Sequence, residues 1–370
     1  MRASSAARSD RSAPPSGRLR IALLAGGTSA EREISLASAR CIRAGLEAAG
    51  HEVLPITIAV DGSWLHAGER LALHPGEGLL EVDLAFPAVH GPYGEDGTLQ
   101  GVLETLRIPY VGADLSASAI CIDKIRFKDL MRSYGIPQVR YLGVEGDRAR
   151  ALAREGAVEV PNGSGQADPA LEELREAIAD LGLPVFVKPA RMGSSLGIAR
   201  VSRPQELSAA IAGALVHDQR VIIEEAATGI EVECALLEDS GGGAPIVSRP
   251  GAVRPRGDWY DFGAKYSEGG MQLSVPAPLP EGVLESVREH ALAVFQRVGC
   301  AHLARVDFFV TGEQVRVNEL NTIPGFTPTS VYPRLLEHEG LRYTELLERL
   351  CALALARARR RSTPTPSSPR

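Results

Sequence analysis

The period of apolar and polar positions changes along this chain, and each change marks an element. From Leu19, LRIALLAGG is apolar on both faces and ends at a glycine turn, as a buried strand does. Thr28-Ser29-Ala30-Glu31 then opens a helix running through about Ala49, so the chain starts with the strand, turn and helix of a parallel α/β domain. Further strands are predicted at 52–58 and 82–88, with helices starting at Leu99 and at Asp123-Lys124, the latter ending before Gly135-Ile136-Pro137. Residues 184–189 and 198–201 read as strands on either side of a glycine-serine loop, and a strand ends at Glu224-Glu225 before another begins at 228–234. Near the end, 306–310 and 315–320 form β-runs around the polar turn Thr311-Gly312-Glu313-Gln314, followed by a Pro324-Gly325 break. Elsewhere the apolar period is lost. Residues 1–18, with Asp10 as their single acid, read as a disordered tail; an organellar transit peptide has a similar make-up. Residues 145–170 read as a variable insertion and 356–370 as a disordered basic tail.

The last two β-runs carry the wrong side chains for a plain hairpin. Arg305, Asp307, Glu319 and Asn321 stand where a buried strand would be apolar. Alternation puts Glu319 and Asn321 on one face, and a register pairing Asp307 with Glu319 adds Arg305 to it. The product is an oxygen-rich patch beside one cation. A hard ion such as Mg²⁺ takes carboxylate and amide oxygens and leaves positions for phosphate. A solvated, charged hairpin face is the other reading of the same residues.

Composition shifts that balance. The chain has 370 residues, 44% hydrophobic and 23% charged, which suits a soluble protein of two or three domains. A net charge of −6 argues against nucleic acid as a partner, and no apolar run approaches the roughly 20 residues of a membrane helix. Cys41, Cys121, Cys234, Cys300 and Cys351 are scattered without CxxC spacing, as reduced thiols of a cytoplasmic protein would be. Among 40 Lys plus Arg, lysine stands only at Lys124, Lys128, Lys188 and Lys265. Where a generic cation suffices the chain uses arginine, so the lysines mark places that need a compact point charge.

Other stretches carry candidate chemistry. Glu31 sits near a helix N-terminus at the carboxyl end of the first strand, where open α/β sheets hold ligands. His90 begins a glycine- and acid-rich loop, HGPYGEDGT, shaped as if around a bound group. Gly193, Ser194, Ser195 and Gly197 form a hairpin whose backbone N–H groups can fold over phosphates, with Lys188 on the strand beneath. This is not a Walker loop, in which lysine follows the glycines into a helix. Glu224 at a strand end could meet an adenine amino group and Glu231 the ribose hydroxyls; exposed edge-strand acids are the plainer alternative. Residues 258–267 make a polar, aromatic loop long enough for a lid and include Lys265 and Tyr266.

Taken in order, AGGTSAERE, HGPYGEDGT, VKPARMGSSLGI, DFGAKYSE, ARVDFF and NELNTIPGFTPTSVYP resemble the D-alanine:D-alanine ligases of the ATP-grasp fold, over residues 19–351. The resemblance implies a mixed α/β and α+β chain. Its parts would be an N-terminal parallel α/β (pre-ATP-grasp) domain at 19–115, then a two-lobed ATP-grasp fold with a central lobe at 116–222 and a C-terminal lobe at 223–355. It implies ATP as co-substrate and two Mg²⁺ ions, with Mn²⁺ as a substitute, held by Asp307, Glu319 and Asn321. Lys124 and Lys188 would hold phosphates under the Gly193–Gly197 loop, Lys265 would lie near the γ-phosphate, and Glu224 and Glu231 would take adenine and ribose. Glu31 would anchor the first D-alanine's ammonium beside His90, Arg305 and the Gly325 N–H would hold the oxyanion, and Ser330 would meet the second D-alanine's carboxylate. Ser194 and Tyr266 would tie the lid to Glu31, and a tyrosine at 266 favours D-alanine over D-lactate as acceptor. A homodimer without nucleic acid or membrane partners is expected. Within the fold the rival is a ligase for another amino acid. Outside catalysis it is a nucleotide-binding regulatory module, which would have no use for an oxyanion cation.

Overall fold

The computed structural model describes residues 17–155, 169–193, 196–239, 242–255, 271–327 and 329–362. Three sheets organise them. The first is built on β1 (Arg20–Gly26), β2 (Glu52–Ile58) and β5 (Leu84–Pro87), which are parallel with β1 in the middle. Successive β1 residues feed opposite faces: Ile21, Leu23 and Ala25 enter one core, Ala22 and Leu24 the other. That is why the run is apolar throughout. Helices α1 (Arg32–Ala48) and α2 (Thr98–Thr105) cover it. The sheet is not purely parallel as expected: β3 (Trp64–His66) and β4 (Glu69–Arg70) add an antiparallel edge beyond β2. Trp64 is buried there, and its indole N–H donates to the Tyr93 hydroxyl at 2.9 Å.

The second sheet is antiparallel, in the order β6 (Tyr141–Val144), β9 (Val221–Glu225), β7 (Val185–Pro189), β8 (Ala199–Val201). Its own core is closed by α5 (Gly146–Glu155), α6 (Pro169–Leu181) and α7 (Leu207–Leu215). The stretch expected to be an insertion therefore begins as a core helix, because Ala149 and Leu152 lie one turn apart and both bury. Of the rest of it, 156–168 lies outside the described residues and 169–170 open α6. The expected boundary at 222 falls inside β9.

The third sheet runs β13 (Met271–Ser274), β12 (Gly251–Pro255), β10 (Ile230–Leu237), β14 (Leu303–Thr311), β15 (Gln314–Asn321), with β11 (Ile246–Val247) beside β10. Helix α8 (Glu281–Val298) packs on one face. So do α3 (Leu115–Ile122) and α4 (Lys124–Ser133), from the stretch expected as the central lobe: Ala117, Cys121, Phe127 and Met131 join this core. The opposite face shares a core with the first sheet through α9 (Val331–His338) and α10 (Tyr343–Ser362). The expected basic tail is thus helical to Ser362. Arg357 donates to the carbonyls of Gly112 and Tyr110, both at 2.7 Å, and lies 4.4 Å from the Tyr110 ring centroid. Arg361 bonds Glu104 at 2.8 Å. All five cysteines are free thiols, and Cys121, Cys234, Cys300 and Cys351 are buried.

Candidate active site

The hairpin of β14 and β15 has the register its charges suggested, with Asp307 opposite Glu319 and Arg305 opposite Asn321. A register shift lies just beyond, where Phe308 faces Val317 and Asn318 is left over. This bulge explains how one strand serves two purposes. Val315 and Val317 bury in the core, and strict alternation would send Glu319 after them. The extra residue resets the phase, so Leu320 enters the core while Glu319 and Asn321 face the cleft.

Arg305 is fixed from two sides. Its Nε and Nη2 donate to Asp307 Oδ1 and Oδ2, both at 2.7 Å, and Nε lies 2.8 Å from Glu233 Oε2. Glu233 stands directly opposite Asp307 on β10, with Glu231 on the same face toward the strand start. Burial works against the Arg305 charge, but Asp307 and Glu233 outweigh it and hold the guanidinium well above its ordinary pKa. The Asn321 amide donates to Asp307 Oδ2 at 3.0 Å.

A second charged cluster lies on β7, β9 and α4. Glu224 is buried between two lysines, 3.1 Å from Lys128 Nζ and 2.5 Å from Lys188 Nζ. Burial alone would raise its carboxyl, yet the charges of Lys128 and Lys188 bring it down to about 2. Lys124, on the first turn of α4, donates to the Met192 carbonyl at 2.5 Å, under the glycine loop.

A cleft of about 860 Å³ is lined by Glu31, His90, Lys124, Gly193, Arg305, Glu319, Asn321, Gly325 and Ser330. Glu31 is buried where lobes meet: a Cβ at Gly91 would lie 2.1 Å from its Oε2, and one at Gly193 3.0 Å from the same oxygen. At Gly91, where φ is +71° as well, a side chain would collide with this carboxylate, and at Gly193 it would press on it. Ser330 stands just before α9, and its hydroxyl accepts the Thr327 N–H at 3.0 Å, beside Gly325. Burial lowers the His90 pKa to about 4, so the ring is neutral. Burial and the charges of Glu31 and Glu319 push the Glu95 carboxyl up to about 8. Lys188, Glu224, Glu231 and Asp307 are not on the cleft lining, and Ser194, Ser195, Lys265 and Tyr266 lie outside the described residues.

Three acidic or basic groups of this region escaped sequence reasoning. Glu95 lay inside a motif read for its histidine and glycines, and Glu233 shares the face of Glu231 by simple alternation. Lys128 was marked by the scarcity of lysine but not by a partner. Among the described residues no three His, Cys, Asp or Glu side chains gather at metal-ligand spacing. Two carboxylates and an amide are a hard, incomplete oxygen set, and that fits Mg²⁺ or Mn²⁺ whose other ligands are phosphate and water.

Two lobes that close lysines and a glycine loop over an acidic, arginine-bearing strand pair define a ligase of the ATP-grasp class. Residues 20–77 and 68–113 match the D-ala D-ala ligase N-terminus, and residues 130–352 match the D-ala D-ala ligase C-terminus. The chain belongs to the D-alanine–D-alanine ligase family. The D-alanine–D-alanine ligase of Deinococcus radiodurans is 41% identical, over 91% of this chain and 98% of that protein. That of Mycolicibacterium smegmatis is 40% identical, over 93% and 97%. The structure of the Coxiella burnetii D-alanine–D-alanine ligase superposes with a TM-score of 0.77 at 32% identity, covering 93% of this chain and 96% of that one. The VanG D-Ala:D-Ser ligase of Enterococcus faecalis gives 0.77 at 33% identity, covering 91% and 99%.

Proposed function

We propose that the protein joins two D-alanine molecules into D-alanyl-D-alanine for peptidoglycan precursors, converting ATP to ADP and phosphate. The observation that carries this is the bulge-set strand pair, which puts Glu319 and Asn321 in one cleft with Arg305, Gly325 and Glu31. The terminal phosphoryl group of ATP passes to the carboxylate of the first D-alanine. The amine of the second attacks the acyl phosphate, and phosphate leaves. Lys124 and Lys188 neutralise the nucleotide phosphates beneath the glycine loop, with Lys265 near the transferred group and Ser194 and Ser195 on the loop itself. Asp307, Glu319 and Asn321 would hold Mg²⁺, which supplies charge neutralisation on the phosphoryl oxygens. Glu31 holds the first ammonium beside His90. Arg305 and the Gly325 N–H bind the tetrahedral oxyanion, and Ser330 receives the second carboxylate. Ser194 and Tyr266, tied to Glu31, exclude water that would hydrolyse the acyl phosphate. Glu231 is assigned to the ribose. Glu224 is assigned to the adenine side of the site, where its side chain also orders the two lysines.

The pocket takes small polar substrates, and among the described residues no helix is long and apolar enough to cross a membrane. A cytoplasmic homodimer is the setting we assign. The test is phosphate release from ATP and Mg²⁺ with D-alanine, D-serine, D-lactate or L-alanine. D-alanine alone should support full turnover, and equal release with L-alanine would sink the assignment. Preference for D-serine in the second position would instead align the chain with the D-Ala:D-Ser ligase. Asp307→Ala and Glu319→Ala should each lower kcat by roughly a hundredfold or more with the fold retained.

A further inference from the structure

The segment that carries Gly325 is fastened by the far end of the chain. Both backbone groups of Ile323 are taken by the loop after β5. Its N–H donates to Glu95 Oε1 at 3.2 Å, and its carbonyl accepts from His90 Nδ1 at 3.0 Å. On the other side of Gly325, the Phe326 N–H donates to Ser38 Oγ, on α1, at 3.4 Å. Ser38 Oγ lies 3.1 Å from His90 Nε2. The donor and acceptor roles close without conflict. A neutral His90 that gives its Nδ1 proton to Ile323 has Nε2 free to accept the Ser38 hydroxyl, whose oxygen then accepts from Phe326. Glu95 Oε2 completes the frame by accepting the Gly91 N–H at 2.6 Å.

Residues 322–326 belong to no strand or helix, so their buried polar groups need partners from elsewhere. The partners described above come from the loop after β5 and from α1, and the Phe326 carbonyl is met from the other side by the Tyr343 hydroxyl of α10 at 2.9 Å. We propose that Glu95 is a positioning residue for the Gly325 oxyanion donor, acting through the backbone of Ile323, with His90 and Ser38 holding the same segment. The first domain would then do more than bind the first substrate: its docking sets the donor that the tetrahedral intermediate meets. An oxyanion donor misplaced by about 1 Å can lose ~100-fold in rate, so the strap has something to protect. The inference rests on the assignment of Gly325 to the oxyanion.

The experiment uses the full-length enzyme with ATP and Mg²⁺, as wild type, Glu95→Ala, Glu95→Gln and Arg305→Lys. Each variant is measured for kcat, for KM of D-alanine, and for affinity to a phosphinate dipeptide that imitates the tetrahedral intermediate. Glu95→Ala should lower kcat ~10- to 100-fold, with KM for D-alanine within about twofold of wild type and phosphinate affinity reduced in step with kcat. Glu95→Gln keeps one acceptor for Ile323, so it should recover part of the loss; it also carries the test if the alanine variant does not fold. A raised KM at unchanged kcat would make Glu95 a substrate contact and overturn the proposal. So would wild-type kinetics in both Glu95 variants while Arg305→Lys loses phosphinate affinity. If Arg305→Lys leaves phosphinate binding unchanged, the oxyanion assignment falls and takes this inference with it.

Discussion

Lys128 has 1% side-chain exposure, where burial lowers its pKa and Glu224 works against that, and among the described residues its ionic partner is this carboxylate, which also grips Lys188. Breaking a buried pair from one side leaves the other charge uncompensated, at a cost of several kcal/mol. Because Lys188 remains, Lys128→Met should destabilise the protein by roughly 2–4 kcal/mol in urea denaturation, and KM for ATP should rise as Glu224 draws Lys188 inward. An unchanged midpoint would mean the pair is not formed. His90 supplies a pH signature. The unfolded chain binds the imidazole proton below about 6.5, whereas burial denies it to the folded chain until about 4. The folded pKa is depressed, so its contribution is whole above 6.5 and is lost as pH falls through 4, by up to ~3 kcal/mol. Denaturation midpoints followed from about pH 7.5 to about 4.5 should decline less steeply in His90→Gln. At this scale the sequence showed which residues were unusual and not whom they met, since Lys128 meets Glu224 only through the fold. The register-bound group was the exception. Asp307, Glu319, Asn321 and Arg305 lie on a single hairpin, so alternation together with a register that sets Asp307 opposite Glu319 was enough to bring them together.

Strand boundaries followed alternation closely: the predicted strand at 52–58 is β2 to the residue. What alternation could not supply was its own interruption. The trace was present as a slip in the apolar period, with Val315 and Val317 followed by Leu320 where 319 would keep step. A bulge leaves no other mark on composition. The edge pair β3 and β4 was missed because two- and three-residue strands are too short to show a period. Helix α5 failed for a different reason. Its arginines looked like a polar excursion, yet Leu152 is 4% exposed and packs in the second core. Leu152→Ala should therefore lower stability by about 2–4 kcal/mol in chemical denaturation. A dispensable insertion would show almost no change.

Across the whole molecule the three sheets are not equally joined. The first and third share one core through α9 and α10, whereas the second closes a core of its own. The last turns of α10 finish the larger body, with Arg357 spanning two carbonyls of the first domain. Arg357→Ala removes two charge-assisted bonds and a ring contact, and should cost roughly 2–3 kcal/mol, read as a lower melting temperature with kcat little changed. The resemblance gave the order of these lobes but not this division, because shared cores depend on which faces meet. One consequence belongs to the protein as a reagent. Lys128 is sealed, and Lys124 and Lys188 are partly covered, so no described lysine stands free on the outer surface. Among the described lysines, an acylating label aimed at amines will meet only partly covered side chains, and on the proposed function ATP will act as their protecting group.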